Sequence, residues 1–318
     1  MSLTELDKNE AQDESLSSSY TKFLLLDTEL IEDDDYPTPD NFADSMPIAR
    51  DIVDILRDTD LNTTRDWLWQ DTYLNEHYER GPILVEIEQD SALIPHFWDK
   101  FSSINAGVLI TSSFERAQVL DHLKSILTVK LPNNSEAQLK LQYPVKHVGL
   151  FEALNDLRLS SFLGPIKNIF FTENCGPKSR YFKVTNPAEH KPKNKSPNWF
   201  KWSDDEINQI NNHGQQFFKQ SIHNTIVKFI ETGTYNDKPL DHLHSVESNE
   251  LLEIIDKGMQ TGKTLKIEDK DCLQEYIQLN ILNPYFFKQD STKTLITDTD
   301  IDQYERMSRI QELMSQQG

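Results

Sequence analysis

Cysteine is nearly missing from this 318-residue chain: Cys175 and Cys272 stand far apart and in no CxxC frame. A disulfide framework is thereby excluded, and a reducing compartment becomes the expectation. Long apolar runs are missing too, since none approaches the roughly 20 residues that span a bilayer. The first residues, MSLTELDKNEAQDESLSSS, contain no apolar stretch of the kind a signal peptide needs. We therefore expect a soluble, cytoplasmic protein with no membrane insertion. Positive charge is scarce. The 32 Lys and Arg face 52 Asp and Glu, a formal net charge of -20, so the overall field repels polyanions and argues against nucleic acid as the ligand. The acidity is uneven: residues 1–60 hold 17 Asp and Glu against 4 Lys and Arg, which accounts for -13 of that total. The rest of the chain is only mildly acidic.

Catalytic and ligand-binding motifs are also wanting. The stretch KGMQTGKTL contains Gly262-Lys263-Thr264, but a phosphate-cradling loop needs four residues between its glycines and an apolar strand before it. Only three residues separate Gly258 from Gly262, and NELLEIIDKGMQ has helical periodicity. Gly262 is read instead as a glycine just past a helix end. His242 and His244 lie two apart beside Asp241, without the further ligands that zinc requires. Ser112 and Ser113 follow a strand and precede a helix, yet the local LITSSFER lacks the GxSxG of a hydrolase elbow; one of them is expected to cap the helix that starts near Phe114. The acidic EDDDYPTPD lacks the spacing and glycine of a calcium loop and reads as a solvated loop. No cofactor, metal or catalytic residue is expected, and the chain reads as a non-enzyme.

What is present is a change of pattern along the chain. Residues 1–19 read as a disordered acidic tail. From residue 20 to 185 short apolar runs (FLLL, GPILVEIE, GVLITSS, KNIFFTEN, SRYFKVTN) alternate with amphipathic stretches such as MPIARDIVDILRD and FERAQVLDHLKSIL. TVKLPNNSEAQLKLQYP has hairpin alternation, and VKHVGLFEALNDL reads as helix. This predicts a mixed α/β lobe, in the α+β or α/β class. Residues 186–202, rich in Lys and Pro, read as a linker. Residues 203–318 carry no strand signal and predict an all-α helical lobe. Ser203 with Glu206 forms a capping box that opens a helix running to Gly233, and three more helices are expected near 247–260, 269–281 and 299–315. The aromatics that close the linker, Trp199, Phe200 and Trp202, combine large apolar surface with neighbouring lysines. They could anchor a partner, although rings that pin the second lobe onto the first explain them as well. Trp67, Trp69 and Trp98 are read as core.

Three segments in order carry a likeness: FLLLDTEL; WLWQDTYLNEHYERGPILVEIE with GVLITSSFERAQVLDHLKSILTVKLPNNSEAQLKLQYP; and FLGPIKNIFF. Their Leu-Leu-Asp strand end, Gly-Pro strand, His-Leu-Lys helix and Val-x-Leu-Pro hairpin resemble the type VI secretion effector adaptor, or effector chaperone, family over residues 20–172. The helical part fits it more loosely. The resemblance implies a bacterial cytoplasmic protein that binds a secreted effector toxin and delivers it to the VgrG spike, sometimes through a PAAR-type element. It brings no catalytic residues. The family hairpin usually ends in an Arg-Phe-x-Asp-Pro-like sequence, whereas this chain reads Leu139 to Pro144, with Tyr143 where the Asp would be and Lys140 nearest the Arg. Lys140 and Tyr143 are therefore expected to contact a partner differently from their relatives' residues. The acidic N-terminal region could shield a basic or membrane-active partner by charge complementarity. An immunity protein that neutralises a toxin is the alternative binding function, and a nucleotide-dependent enzyme or a serine hydrolase is the alternative of another class.

Overall fold

The computed structural model describes residues 2–17, 19–35, 50–61, 63–191, 197–235, 238–243 and 245–316. The chain divides into two units, Met1–Asn174 with Ser179–Gly214, and Cys175–Lys178 with Gln215–Gly318.

The first unit is built on a seven-stranded antiparallel sheet. Its strands are β1 (Leu3–Leu6), β2 (Thr21–Leu26), β3 (Thr64–Trp67), β4 (Ile83–Ile87), β5 (Gly107–Ser112), β8 (Asn168–Cys175) and β9 (Lys178–Thr185). They lie in the order β1-β9-β8-β5-β2-β4-β3. β6 (Thr128–Lys130) and β7 (Glu136–Gln138) form a separate hairpin. Neighbouring residues of the central strands point to opposite faces, and both faces are apolar. Phe23, Leu25, Leu84, Val108, Ile110, Ile169 and Phe171 enter one core. Leu24, Leu26, Ile83, Val85, Leu109 and Phe170 enter the other. A sheet covered on both sides needs no polar face, which is why its strands read as continuous apolar runs rather than as alternation.

Helices supply the two covers. α2 (Thr28–Asp35), α3 (Ile52–Thr59) and α4 (Leu93–Asp99) bring Ile31, Ile55, Leu56, Phe97 and Trp98 to one face. α5 (Arg116–Ser125), α6 (His147–Glu152) and α7 (Asp156–Leu163) bring Val119, Leu123, Phe151 and Phe162 to the other. VKHVGLFEALNDL is thus two helices rather than one. The break is set by Asn155, whose Oδ1 accepts from the Arg158 amide at 3.0 Å and starts α7.

The N-terminal region departs from expectation. In place of a disordered tail, β1 pairs with β9 and is followed by α1 (Lys8–Ser17). Asp7 and Glu10 cap each other's amides at 2.8 and 3.1 Å, a reciprocal start signal within the polar DKNE. The IEDDD of the expected acidic loop is helical to Asp35, because Asp27 Oδ1 accepts from the Leu30 amide and starts α2. The rest of that loop, residues 36–40, lies outside the described residues.

The second unit takes in the tip of the β8–β9 hairpin and the helical part of the chain. α8 (Asp204–Thr232) begins in the first unit at the expected Ser203–Glu206 capping box and continues into the second. There follow a two-residue ladder of β10 (Thr234–Tyr235) with β11 (Lys238–Pro239), α9 (Ser248–Thr264), α10 (Lys270–Leu282), α11 (Asp290–Thr297) and α12 (Gln303–Ser315). One core joins them, with Ile226, Leu251, Ile255, Ile277 and Ile310 at its centre. α9 runs past Gly262, so that glycine does not end the helix. It lets α10 approach: a Cβ there would collide with Leu273, and one at Gly258 would press on Ile277 at 3.1 Å. The left-handed residue after α9 is Lys266, with φ 54°. The buried Arg306 serves two helix ends at once, donating from Nη1 to Leu265 O at 2.8 Å and to Ile296 O at 2.9 Å. Among the described residues no helix is long and apolar enough to cross a membrane.

Candidate protein-interaction surface

The small β6–β7 hairpin of the first unit is the centre of the site. Its ladder pairs Thr128 with Gln138 and Lys130 with Glu136. The expected linker adds one isolated bridge to its edge. Lys130 N donates to Phe200 O at 2.9 Å and Trp202 N to Lys130 O at 2.9 Å, a parallel bridge between Lys130 and Lys201. The described residues between 186 and 202 therefore belong to the first unit and are no loose tether. Asn186 Nδ2 donates to Gly164 O and Ile166 O, and Glu189 accepts from Ser113.

This placement decides the fate of the aromatic trio. Phe200 and Trp202 are buried, at 1 and 3% exposure, and join Phe162 in one cluster of edge-on and tilted rings. Trp199 is half-buried and packed against the same core, its Nε1 donating to Ser125 Oγ at 3.2 Å. Arg158 stacks over Phe200 at 4.4 Å and holds Glu206 through two 2.9 Å bonds. Burial alone would raise the Glu206 pKa, but the Arg158 bond and the Ser203 amide outweigh it and hold the carboxyl low. Phe200 and Trp202 offer a partner no surface; they support the hairpin from behind. The sequence showed the chemistry of these rings but not their direction.

The other two expected residues do reach solvent. After β7 the chain turns through residues 139–144, where Lys140 is exposed and Tyr143 is 39% exposed. Three bonds fix the turn. Leu139 N donates to Leu127 O at 2.8 Å, and Tyr143 N to Lys140 O at 3.1 Å. Gln142, itself buried, donates to Asp27 Oδ2 at 3.1 Å. Behind it the buried His147 ring places Nε2 2.8 Å from Leu141 O, so that nitrogen carries the proton and donates. Burial drives the His147 pKa down to about 4 against the opposing effect of this bond, and the ring is neutral at pH 7.

Tyr73 completes the surface and was not singled out from the sequence. It is 68% exposed, and its hydroxyl lies 2.8 Å from Thr128 Oγ1. Tyr73 and the 139–143 turn thus meet the hairpin at adjacent residues, Thr128 and Leu127. Trp98 is buried as expected, while Trp67 and Trp69 are half-buried against opposite cores. Two tyrosines and a lysine on a backbone braced by buried polar bonds suit protein recognition, because Tyr gives contact area at little loss of conformational freedom.

The remaining motifs find structural roles. Gly262-Lys263-Thr264 forms the last turn of α9, not a loop before a helix. Ser112 is fully buried, donates to Pro165 O at 2.6 Å and accepts from Phe114 N at 2.9 Å. It caps a turn rather than α5, whose N-cap position belongs to Glu115. His242 lies 3.1 Å from Ile281 O, and His244 is outside the described residues. Among the described residues no group of three or more His, Cys, Asp or Glu is placed to hold a metal ion.

Residues 47–160, about a third of the chain, match the family model described as a domain of unknown function, DUF4123. The matched stretch contains Tyr73, the whole hairpin and the turn with Lys140 and Tyr143. No curated protein and no solved structure matches the chain.

Proposed function

We propose that this protein is a non-enzymatic adaptor that binds a type VI secretion effector in the bacterial cytoplasm and loads it onto the VgrG spike. The observation that carries the reading is the exposed turn of Lys140 and Tyr143 beside Tyr73, held by Gln142, Asp27 and His147 on a sheet buried on both faces. Such a site needs no chemistry. It needs a rigid surface whose aromatic and cationic side chains are already in place when a partner arrives. The DUF4123 match falls inside the stretch that resembles the effector adaptors, which supports the same reading.

Affinity purification of the tagged protein from its native cells, with mass spectrometry of the bound proteins, tests it. A large toxin-like protein recovered together with a VgrG spike protein is the expected result. Recovery of the toxin's active domain alone, with death of the producing cell when the gene is lost, would identify an immunity protein instead. Recovery of nothing, or of a metabolic enzyme only, overturns the reading.

A further inference from the structure

Residues 2–17 are held to the first unit in an unusual way. β1 lies on the outer edge of β9, with Leu3 opposite Val184 and Leu6 opposite Tyr181, and Thr185 N donates to Ser2 O at 2.7 Å. α1 then reaches α4, where Trp98 Nε1 donates to Ser15 Oγ at 3.2 Å. The apolar anchors of this segment are small: Leu3 and Leu6 are half-buried, each against a different core, and Ala11 is buried. In α1 only Ala11 and Ser15 are buried, Leu16 is 39% exposed, and the sequence KNEAQDESLS has no apolar stripe. Beyond the β ladder and these bonds the links are ionic: Glu5 to Arg180 at 2.6 Å, Glu14 to Lys183 at 2.5 Å and Lys8 to Asp99 at 3.0 Å. Each side chain in these pairs is at least a quarter exposed, so the pairs contribute little and weaken with salt. A segment of few apolar contacts opens well before the core around it.

What the segment covers is better built than the segment itself. β9 carries Lys178, Arg180 and Lys183 in a chain of net charge -20. Arg180 also reaches the buried Glu173 at 3.4 Å, and Glu173 is in turn 3.1 Å from His213 Nε2, so the guanidinium keeps an anchor when Glu5 departs. Trp98, 2% exposed, stacks at a tilt on Tyr181 at 6.0 Å. A cleft of about 270 Å³ beside it lies between α1 and α4, lined by polar residues such as Lys8, Gln12 and Asp99 as well as by Leu16, Ile94 and Trp98.

We propose that residues 2–17 form a detachable arm, and that the β9 edge beneath it docks an extended acidic segment of a partner by strand addition. The arm shows the chemistry the edge accepts: a Leu-Thr-Glu-Leu strand whose carboxylate forks onto Arg180, then a second carboxylate for Lys183. Backbone pairing supplies the affinity, and the two cations select the charge. Until the partner arrives, the arm keeps an open sheet edge from pairing wrongly. The proposal deepens the adaptor reading, since it names a docking edge for a protein partner, but its test uses the arm's own sequence as probe and stands apart from the identity of any effector.

The experiment takes the full chain and a labelled synthetic peptide of residues 2–17. In the wild type, the Thr4 and Leu6 amides, which face β9 in this register, exchange faster than those of β5, and faster again at high salt. Full-length Glu5→Lys with Glu14→Lys releases the arm and binds the peptide at least tenfold more tightly than wild type. Adding Arg180→Glu to that variant abolishes the binding. Thr4→Pro is the second route to a released arm if the charge reversals do not fold, and protection of β2 and β5 reports folding in each. Arm amides that exchange as slowly as β5 overturn the proposal. So does a folded, released variant that ignores the peptide, or one that binds a scrambled peptide of equal charge just as well.

Discussion

Gln142 Nε2 donates to Asp27 Oδ2 at 3.1 Å across 115 positions of sequence. The same Asp27 starts α2 through its other oxygen, so one carboxylate fixes both a helix and the turn that carries Lys140 and Tyr143. Replacing Gln142 by Leu leaves an Asp27 oxygen without this donor. The expected loss is about 1–3 kcal/mol of stability, read from urea denaturation. Gln142→Glu brings two carboxylates together at neutral pH, so its deficit shrinks on mild acidification, whereas that of Gln142→Leu does not. An unchanged midpoint for both variants would show that the turn is fixed by its other bonds.

His147 gives the same turn a pH dependence. Its folded pKa, about 4, lies below the ordinary imidazole value of about 6.5. Protons therefore bind the unfolded state first. The stability the neutral ring supplies is complete above pH 6.5 and is lost as pH falls from 6.5 to 4, by about 3 kcal/mol in all. Urea midpoints at pH 7, 5.5 and 4.5 measure it, and His147→Gln, which keeps a donor near Leu141 O but does not titrate, should have a flatter profile over this range. Parallel profiles would remove His147 from the account.

The surface residues and the rings behind them should separate in experiment. Lys140→Glu, Tyr143→Ala and Tyr73→Ala each weaken partner binding about tenfold or more while leaving the melting temperature within a degree or two. Phe200→Ala does the reverse in origin, removing a fully buried ring and about 3–5 kcal/mol of stability. Binding by titration calorimetry, beside melting curves of the free proteins, tells the two classes apart. If all three surface variants bind normally, the interface lies elsewhere.

How much of this the sequence displayed follows from what sits locally and what does not. The alternation of FLLL, ILVEI and GVLIT with amphipathic helices gave the mixed first unit directly, and the Ser203–Glu206 box marked the start of α8. The pattern failed where the stabilising partner is remote. Leu3–Leu6 has no apolar signature because its structure comes from β9 and Arg180, more than 170 residues away. Trp199, Phe200 and Trp202, set among Lys and Pro, read either as a partner anchor or as rings pinning one lobe to the other, because the backbone bonds of Phe200 and Trp202 go to a hairpin 70 residues upstream. α11, DSTKTLIT, was missed because it is only eight residues long and three of them are threonines, which favour a helix weakly. Tyr73 stayed hidden among neighbours that do enter the core, and only the Thr128 bond shows which way it points.

Gly214 and Gly262 are both helical, and substitution should move them in opposite directions. Nothing lies within 4 Å of a Cβ built on Gly214, so Gly214→Ala removes unfolded-chain entropy without a clash. A gain of about 0.5–1 kcal/mol is expected, the ordinary helix preference of Ala over Gly. At Gly262 the same preference is opposed by Leu273, whose δ-methyl occupies the place a Cβ would take. Ala there should gain nothing or lose slightly, and Val should lose about 1–3 kcal/mol as α10 is pushed off α9. Melting curves of the three variants check the contrast. A stabilised Gly262→Val would mean that α9 and α10 do not pack through this glycine.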